Sequence, residues 1–149
     1  FYWDDLKGSK HIRYVPNTGH GLRDSDAIDS LVAFYHATLN KVDLPRYQWN
    51  VTKDGTINVK TQDKPQAVRL WQVANPDARD FRIDQIKHEW TVMELKPNKK
   101  GRYSARPKNP ARGWIAYMIE LTFDGKVRPF KFTSGVVVRP DLLPFADKK

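Results

Sequence analysis

The sequence contains no cysteine, which excludes disulfides and thiolate metal sites and leaves the redox compartment undecided. No apolar run approaches the roughly 18 residues that a membrane-spanning helix needs. There is no internal repeat and no low-complexity segment. No G-x-S-x-G occurs, so the strained serine elbow of an α/β-hydrolase nucleophile is missing, and Ser9, Ser25, Ser30, Ser104 and Ser134 all stand in other settings. An RNP-like run and a recognition helix are also missing, which argues against nucleic acid as partner. Neither a secretory signal nor an initiating Met is present; the first residues are the aromatic cluster "FYW". We expect from this a fragment cut inside a larger protein.

What is there suits a soluble globular chain. Its 149 residues are 40% hydrophobic and 29% charged, enough for one ordinary domain or a small domain plus a fragment. The net charge of +9 is uneven. Residues 1–40 hold four Lys/Arg against five Asp/Glu, whereas 41–149 hold 22 against 12. That basic second part suits nucleic acid, anionic headgroups or acidic polysaccharide, although its charges read as scattered along the chain.

The hydrophobic rhythm changes near residue 41. Before it, "FYWDDLK" reads as a helix tail closed by Gly8, and "HIRYV" (11–15) as a short strand ended by Pro16. Ile28, Leu31, Val32, Tyr35 and Leu39 then fall at helical spacing, with Asp24 or Ser25 as cap and a stop near Asn40. This is the closing strand–loop–helix piece of an α/β domain. From Leu44 on, alternating runs separated by turn signals predict about seven short strands, an immunoglobulin- or fibronectin-like β-sandwich with Trp71, Trp90 and Trp114 as core anchors. The internal Pro129 places the front of the last strand at a sheet edge. The expected fold class is therefore α/β plus all-β, with a boundary between 1–43 and 44–149.

One residue in the first part invites chemistry. His20 stands in "PNTGHG", between the expected strand and the expected helix. An α/β-hydrolase places its triad histidine on such a loop, where the imidazole can swing over the carboxyl ends of the strands. Gly19 and Gly21 remove bulk beside the ring and permit backbone angles that other residues avoid. The partners do not follow: only Asp4 and Asp5 precede the strand, and both are expected on a helix.

The stretch "FYWDDLKGSKHIRYVPNTGHGL" resembles the catalytic-like domain of the PhoPQ-activated pathogenicity-related (PqaA-type) proteins, near its C-terminal end. "AVRLWQVANPDARDFR" (67–82), "GWIAYMIELTF" (113–123) and "FTSGVVVRPDLLPF" (132–145) resemble the C-terminal region of that family. The resemblance implies an α/β-hydrolase-like domain followed by an immunoglobulin-like sandwich, in exported proteins linked to virulence and to resistance against host antimicrobial peptides. It implies His20 as the triad base, with nucleophile and acid upstream of Phe1, and makes that upstream part the first expected partner. It carries over no substrate and no cofactor.

Other polar residues have plainer readings. His11 and His36 read as packing or surface residues, and His88 and Glu89 as a strand start; no His/Asp/Glu spacing reads as a metal site. In "NPDARDFRID", Asp80 can pair with Arg79 or Arg82 and pin a loop against the neighbouring domain, while the two guanidinium groups form a candidate site for sulfate, phosphate or carboxylate. Two functional classes remain. One is a serine hydrolase with the sandwich as accessory domain. The other is a non-catalytic binding or structural protein on a hydrolase scaffold, its basic sandwich contacting an anionic surface polymer or a protein.

Overall fold

The computed structural model describes residues 3, 5–23, 25–86 and 89–143. Asp4, Asp24 and His88, named above as candidate acid, cap and strand-start residues, lie outside the described residues, as does the end of the 132–145 stretch. Among the described residues the chain is mostly β: one helix and two antiparallel sheets.

The alternating runs become strands close to where the pattern places them. β1 (Tyr47–Val51) turns through "TKDG" into β2 (Ile57–Thr61), which pairs on its other side with β5 (Arg102–Ala105) to complete a three-stranded sheet. In the second sheet, β3 (Ala67–Asn75) lies between β4 (Thr91–Glu94) and the long β6 (Trp114–Phe123). The far side of β6 is shared by β7 (Phe130–Thr133) and β8 (Val137–Arg139). Pro129 precedes β7, an edge strand as the sequence predicts.

β7 and β8 are one strand with a bulge. Glu120 stands opposite Thr133 and Tyr117 opposite Val137, so Met118 and Ile119 face three residues, Ser134 to Val136. Buried Ser134 repairs the break: its N–H donates to the Ile119 carbonyl (2.8 Å), and the Ile119 N–H donates to Ser134 Oγ (3.0 Å).

The main core lies between the sheets. Odd-numbered residues of β6 (Ile115, Tyr117, Ile119, Leu121 and Phe123) meet Ile57 and Val59 of β2, with Phe130 and Phe132 of β7 closing one end. The expected tryptophan anchors are corrected here, since none is fully buried. Trp71 alternates with Leu70, a main-core residue, and therefore stands on the other face of its sheet. Trp90 packs there against a second cluster of Val73, Ile86 and Ala116.

Residues 1–43 dock on these sheets. No helix forms at residues 5–7; Trp3 instead stacks on Trp49 with ring centroids 5.7 Å apart. No strand forms at 11–15 either. The segment runs beside the outer edge of β7 and hydrogen-bonds to it through Thr133, which donates its N–H to the Ile12 carbonyl (2.8 Å) and accepts from the Tyr14 N–H at Oγ1 (3.1 Å). One backbone bond does not make a ladder.

Helix α1 (Ala27–Leu39) starts and stops near the expected places. Ser25 Oγ accepts the Ala27 N–H (3.3 Å), and Asn40 closes the last turn on the His36 carbonyl before Lys41 takes a left-handed φ of 52°. The face it buries is the surprise. Ala33 and Ala37 enter the main core, while Ile28, Leu31, Tyr35 and Leu39 are 62–65% exposed. Small residues let the helix backbone approach the sheets closely; the large apolar stripe points the other way.

Candidate functional site

The His20 loop is held at both ends and bare at its apex. At its start, Asn17 has a left-handed φ of 57°, and its side-chain amide brackets the Trp90 backbone. Asn17 Nδ2 donates to the Trp90 carbonyl (3.0 Å), and the Trp90 N–H donates to Asn17 Oδ1 (2.7 Å). One asparagine thus imitates a paired strand residue and ties the loop to the segment before β4. The turn itself closes through Leu22, whose N–H donates to the Gly19 carbonyl (3.0 Å), again at positive φ (53°). The unusual angles expected at Gly19 and Gly21 therefore belong to Asn17 and Leu22. What the two glycines supply is open space: a Cβ at Gly19 would meet nothing within 4 Å. His20 is exposed in this turn.

The loop's other end is pinned by ions. Asp26 accepts from Arg13 and from Lys131 of β7, and Arg13 also donates to Ser30 and to the Asp26 carbonyl (2.9 Å). Burial works to raise the Asp26 carboxyl, but hydrogen bonds and charge from Lys131 and Arg13 overrule it and hold it below the usual carboxylate range. A second bridge, Arg128 to Asp29 (3.3 Å), ties the helix to the turn before β7. The base of α1 is thereby fixed on the sheets, and the histidine loop with it. Asp5, the described one of the two upstream carboxylates, is exposed in a turn.

Arg79 and Arg82 do not share a partner. Asp80 closes the fork of Arg82 (2.7 Å to Nη2, 3.1 Å to Nε), and that hydrogen bonding, chiefly, keeps its carboxyl below the usual range. Arg79 turns toward Asp141 at 3.9 Å. The loop between them is shaped by Asn75, which accepts the N–H groups of Asp77 and Ala78 and donates to the Asp80 carbonyl (2.7 Å). Asp80 thus pairs with one of its two expected arginines, Arg82, two residues away in the same loop.

Sequence reasoning did not find a cleft of about 1290 Å³ between residues 8–11, 42–49 and 124–126. His11 forms part of its wall, its ring packed between Phe132 (4.6 Å) and Tyr47 (5.7 Å). Burial lowers the pKa of His11 and raises that of the Tyr47 phenol, so both stay neutral near pH 7. His11 is a packing residue, as its place in an apolar run suggests.

No curated protein and no solved structure matches this chain. A family model does, over residues 1–82, from the turn at Trp3 through the histidine loop, α1 and β1 to β3. By that match, which takes in more than half of the sequence, the chain belongs to the PhoPQ-activated pathogenicity-related protein family.

Proposed function

We propose that this chain is the C-terminal portion of a serine-hydrolase-like protein, with His20 as the general base of a triad. The nucleophile and the acid come from an α/β-hydrolase-like body outside this sequence. The observation that carries the reading is the helix that follows the histidine loop. α1 is apolar on two opposite faces, and a helix of that kind is built to be buried between two bodies. Ala33 and Ala37 meet the sandwich; Ile28, Leu31, Tyr35 and Leu39 are left for the second body. On this reading α1 is the closing helix of the hydrolase-like layer, and the loop before it delivers His20 to the carboxyl ends of that layer's strands.

The two sheets act as an accessory domain of immunoglobulin or fibronectin type, in keeping with a strand order of β1-β2-β5 against β4-β3-β6-β7. Its part is to carry the loop, through Asn17 at Trp90 and Asp26 at Lys131. In the reaction, His20 takes the proton of the serine as it attacks and returns it to the leaving group. The test is covalent labelling of an intact family member carrying this region with a fluorophosphonate probe. Labelling that disappears in His20→Ala, with the fold retained, is the expected result. Labelling that persists in the variant, or a well-folded wild type that never labels, would overturn the assignment.

A further inference from the structure

The hydrolase reading leaves the basic half of the chain without a role. Residues 95–113 contain seven Lys/Arg and no Asp or Glu. Arg106 and Arg112 reach outside the segment to Asp54 (2.7 Å) and Asp77 (3.0 Å). Lys96, Lys99, Lys100, Arg102 and Lys108 are exposed and have no ion pair among the described residues.

The fold gathers these cations on one edge. The segment follows β4, an outer strand of one sheet, and continues into β5, an outer strand of the other. A tight turn joins them: Asn98 Oδ1 accepts the N–H groups of Lys100 (2.9 Å) and Arg102 (3.1 Å), and the Gly101 N–H donates to the Asn98 carbonyl (2.9 Å). Lys99 and Lys100 are displayed at its tip. In the ladder, Lys60 of β2 stands directly opposite Arg102. Like charges in cross-strand register destabilise a sheet. An anionic partner relieves that repulsion.

Apolar groups accompany the charge. Met93 of β4 is 53% exposed. Between the β4 and β5 edges a groove of about 520 Å³ is lined by Leu70, Met93, Leu95, Ala105 and Ile115, with Arg106 and Lys108 in the same wall. A bilayer surface offers headgroup phosphates and acyl chains together, which matches cations set beside an apolar groove. We propose that the β4–β5 edge docks on an anionic lipid surface. Lys96, Lys99, Lys100 and Arg102 meet the headgroups, and Met93, at the mouth of the groove, enters the acyl boundary.

The test is co-sedimentation of the 149-residue chain with phosphatidylcholine vesicles, with and without about one third phosphatidylglycerol, at low and high salt. Binding only to the anionic vesicles, and weakened by salt, is expected. Each cation removed should lower the partition coefficient about fivefold. The triple variant Lys99→Gln, Lys100→Gln, Arg102→Gln should therefore lose about a hundredfold, and the control Lys7→Gln, Lys126→Gln at most about twofold. Met93→Ser should weaken binding without changing its salt dependence. Equal binding by triple variant and wild type would overturn the proposal. So would a chain that ignores both vesicles, including one that instead retains a soluble anionic polysaccharide such as polygalacturonate through this edge.

Discussion

Tyr117→Phe removes a single oxygen from the centre of the sandwich, and its effect follows from one contact. Tyr117 is fully buried, and its hydroxyl donates to the Gly55 carbonyl at 2.6 Å, fastening the β1–β2 turn to β6 of the other sheet. Without it a buried acceptor is left unpaired, at a cost of about 1–3 kcal/mol. In a chain of this size each kcal/mol lowers Tm by about 2–4 °C. Gly55→Ala attacks the same contact from the other side. Gly55 has φ +88°, and an added Cβ would lie 2.7 Å from Tyr117 Oη and 3.1 Å from Arg139 Cδ. The left-handed backbone alone costs about 1–2 kcal/mol for a non-glycine residue. In the double variant the Oη clash no longer exists, although the Arg139 contact and the backbone strain remain. Urea unfolding should therefore give an unchanged m-value and a double-mutant loss smaller than the sum of the single losses by about 1 kcal/mol. Additivity within about 0.5 kcal/mol, or a neutral Tyr117→Phe, would refute the reasoning.

Two pH effects should separate cleanly. Burial depresses the pKa of His11, so the native state disfavours the proton: stability is complete above its ordinary value of 6.5 and declines as pH falls through the lowered value. Denaturant midpoints between pH 7.5 and 5.5 should show this decline, and His11→Gln should flatten it. Asp26 is also depressed, so its contribution is present above its ordinary 3.8 and is lost as pH falls below that. Asp26→Asn should remove the contribution at neutral pH, where we expect about 1 kcal/mol after screening, because the side chain is 39% exposed. Faster proteolysis within residues 1–40 should accompany it; an unchanged cleavage rate would contradict the pinning role.

The strands were legible because both sheets are antiparallel with one shared core, which imposes the period of two that Leu70 and Trp71 display. That period does not say which face is the core, so the tryptophans read as anchors although Tyr117, Phe123, Phe130 and Phe132 hold that place. "HIRYV" has strand composition, but a strand needs a ladder partner, and β7 offers it only Thr133. The apolar stripe of α1 lies on one face, as its spacing predicts, but the sheet pair beside it takes the alanine face instead. The turn that carries His20 was legible from its glycines, whereas Asn17 and Asp26, which hold that turn, depend on Trp90 and Lys131, distant in sequence. The basic edge was hidden for the same reason: Lys60 and Arg102 are neighbours only once the β2–β5 register is known.

The central claim is that α1 is a shared helix, with the sandwich on one side and a hydrolase-like body on the other. Leu31→Ala tests it in two settings, by thermal unfolding of this 149-residue chain and of an intact family member carrying the same helix. Leu31 is 62% exposed here, so the substitution should change the stability of the chain alone by at most about 0.5 kcal/mol. Between two bodies the same side chain is buried, and its truncation should cost about 2–5 kcal/mol. An equally small effect in both settings would show that the apolar face of α1 meets nothing, and with it the placement of His20 would fall.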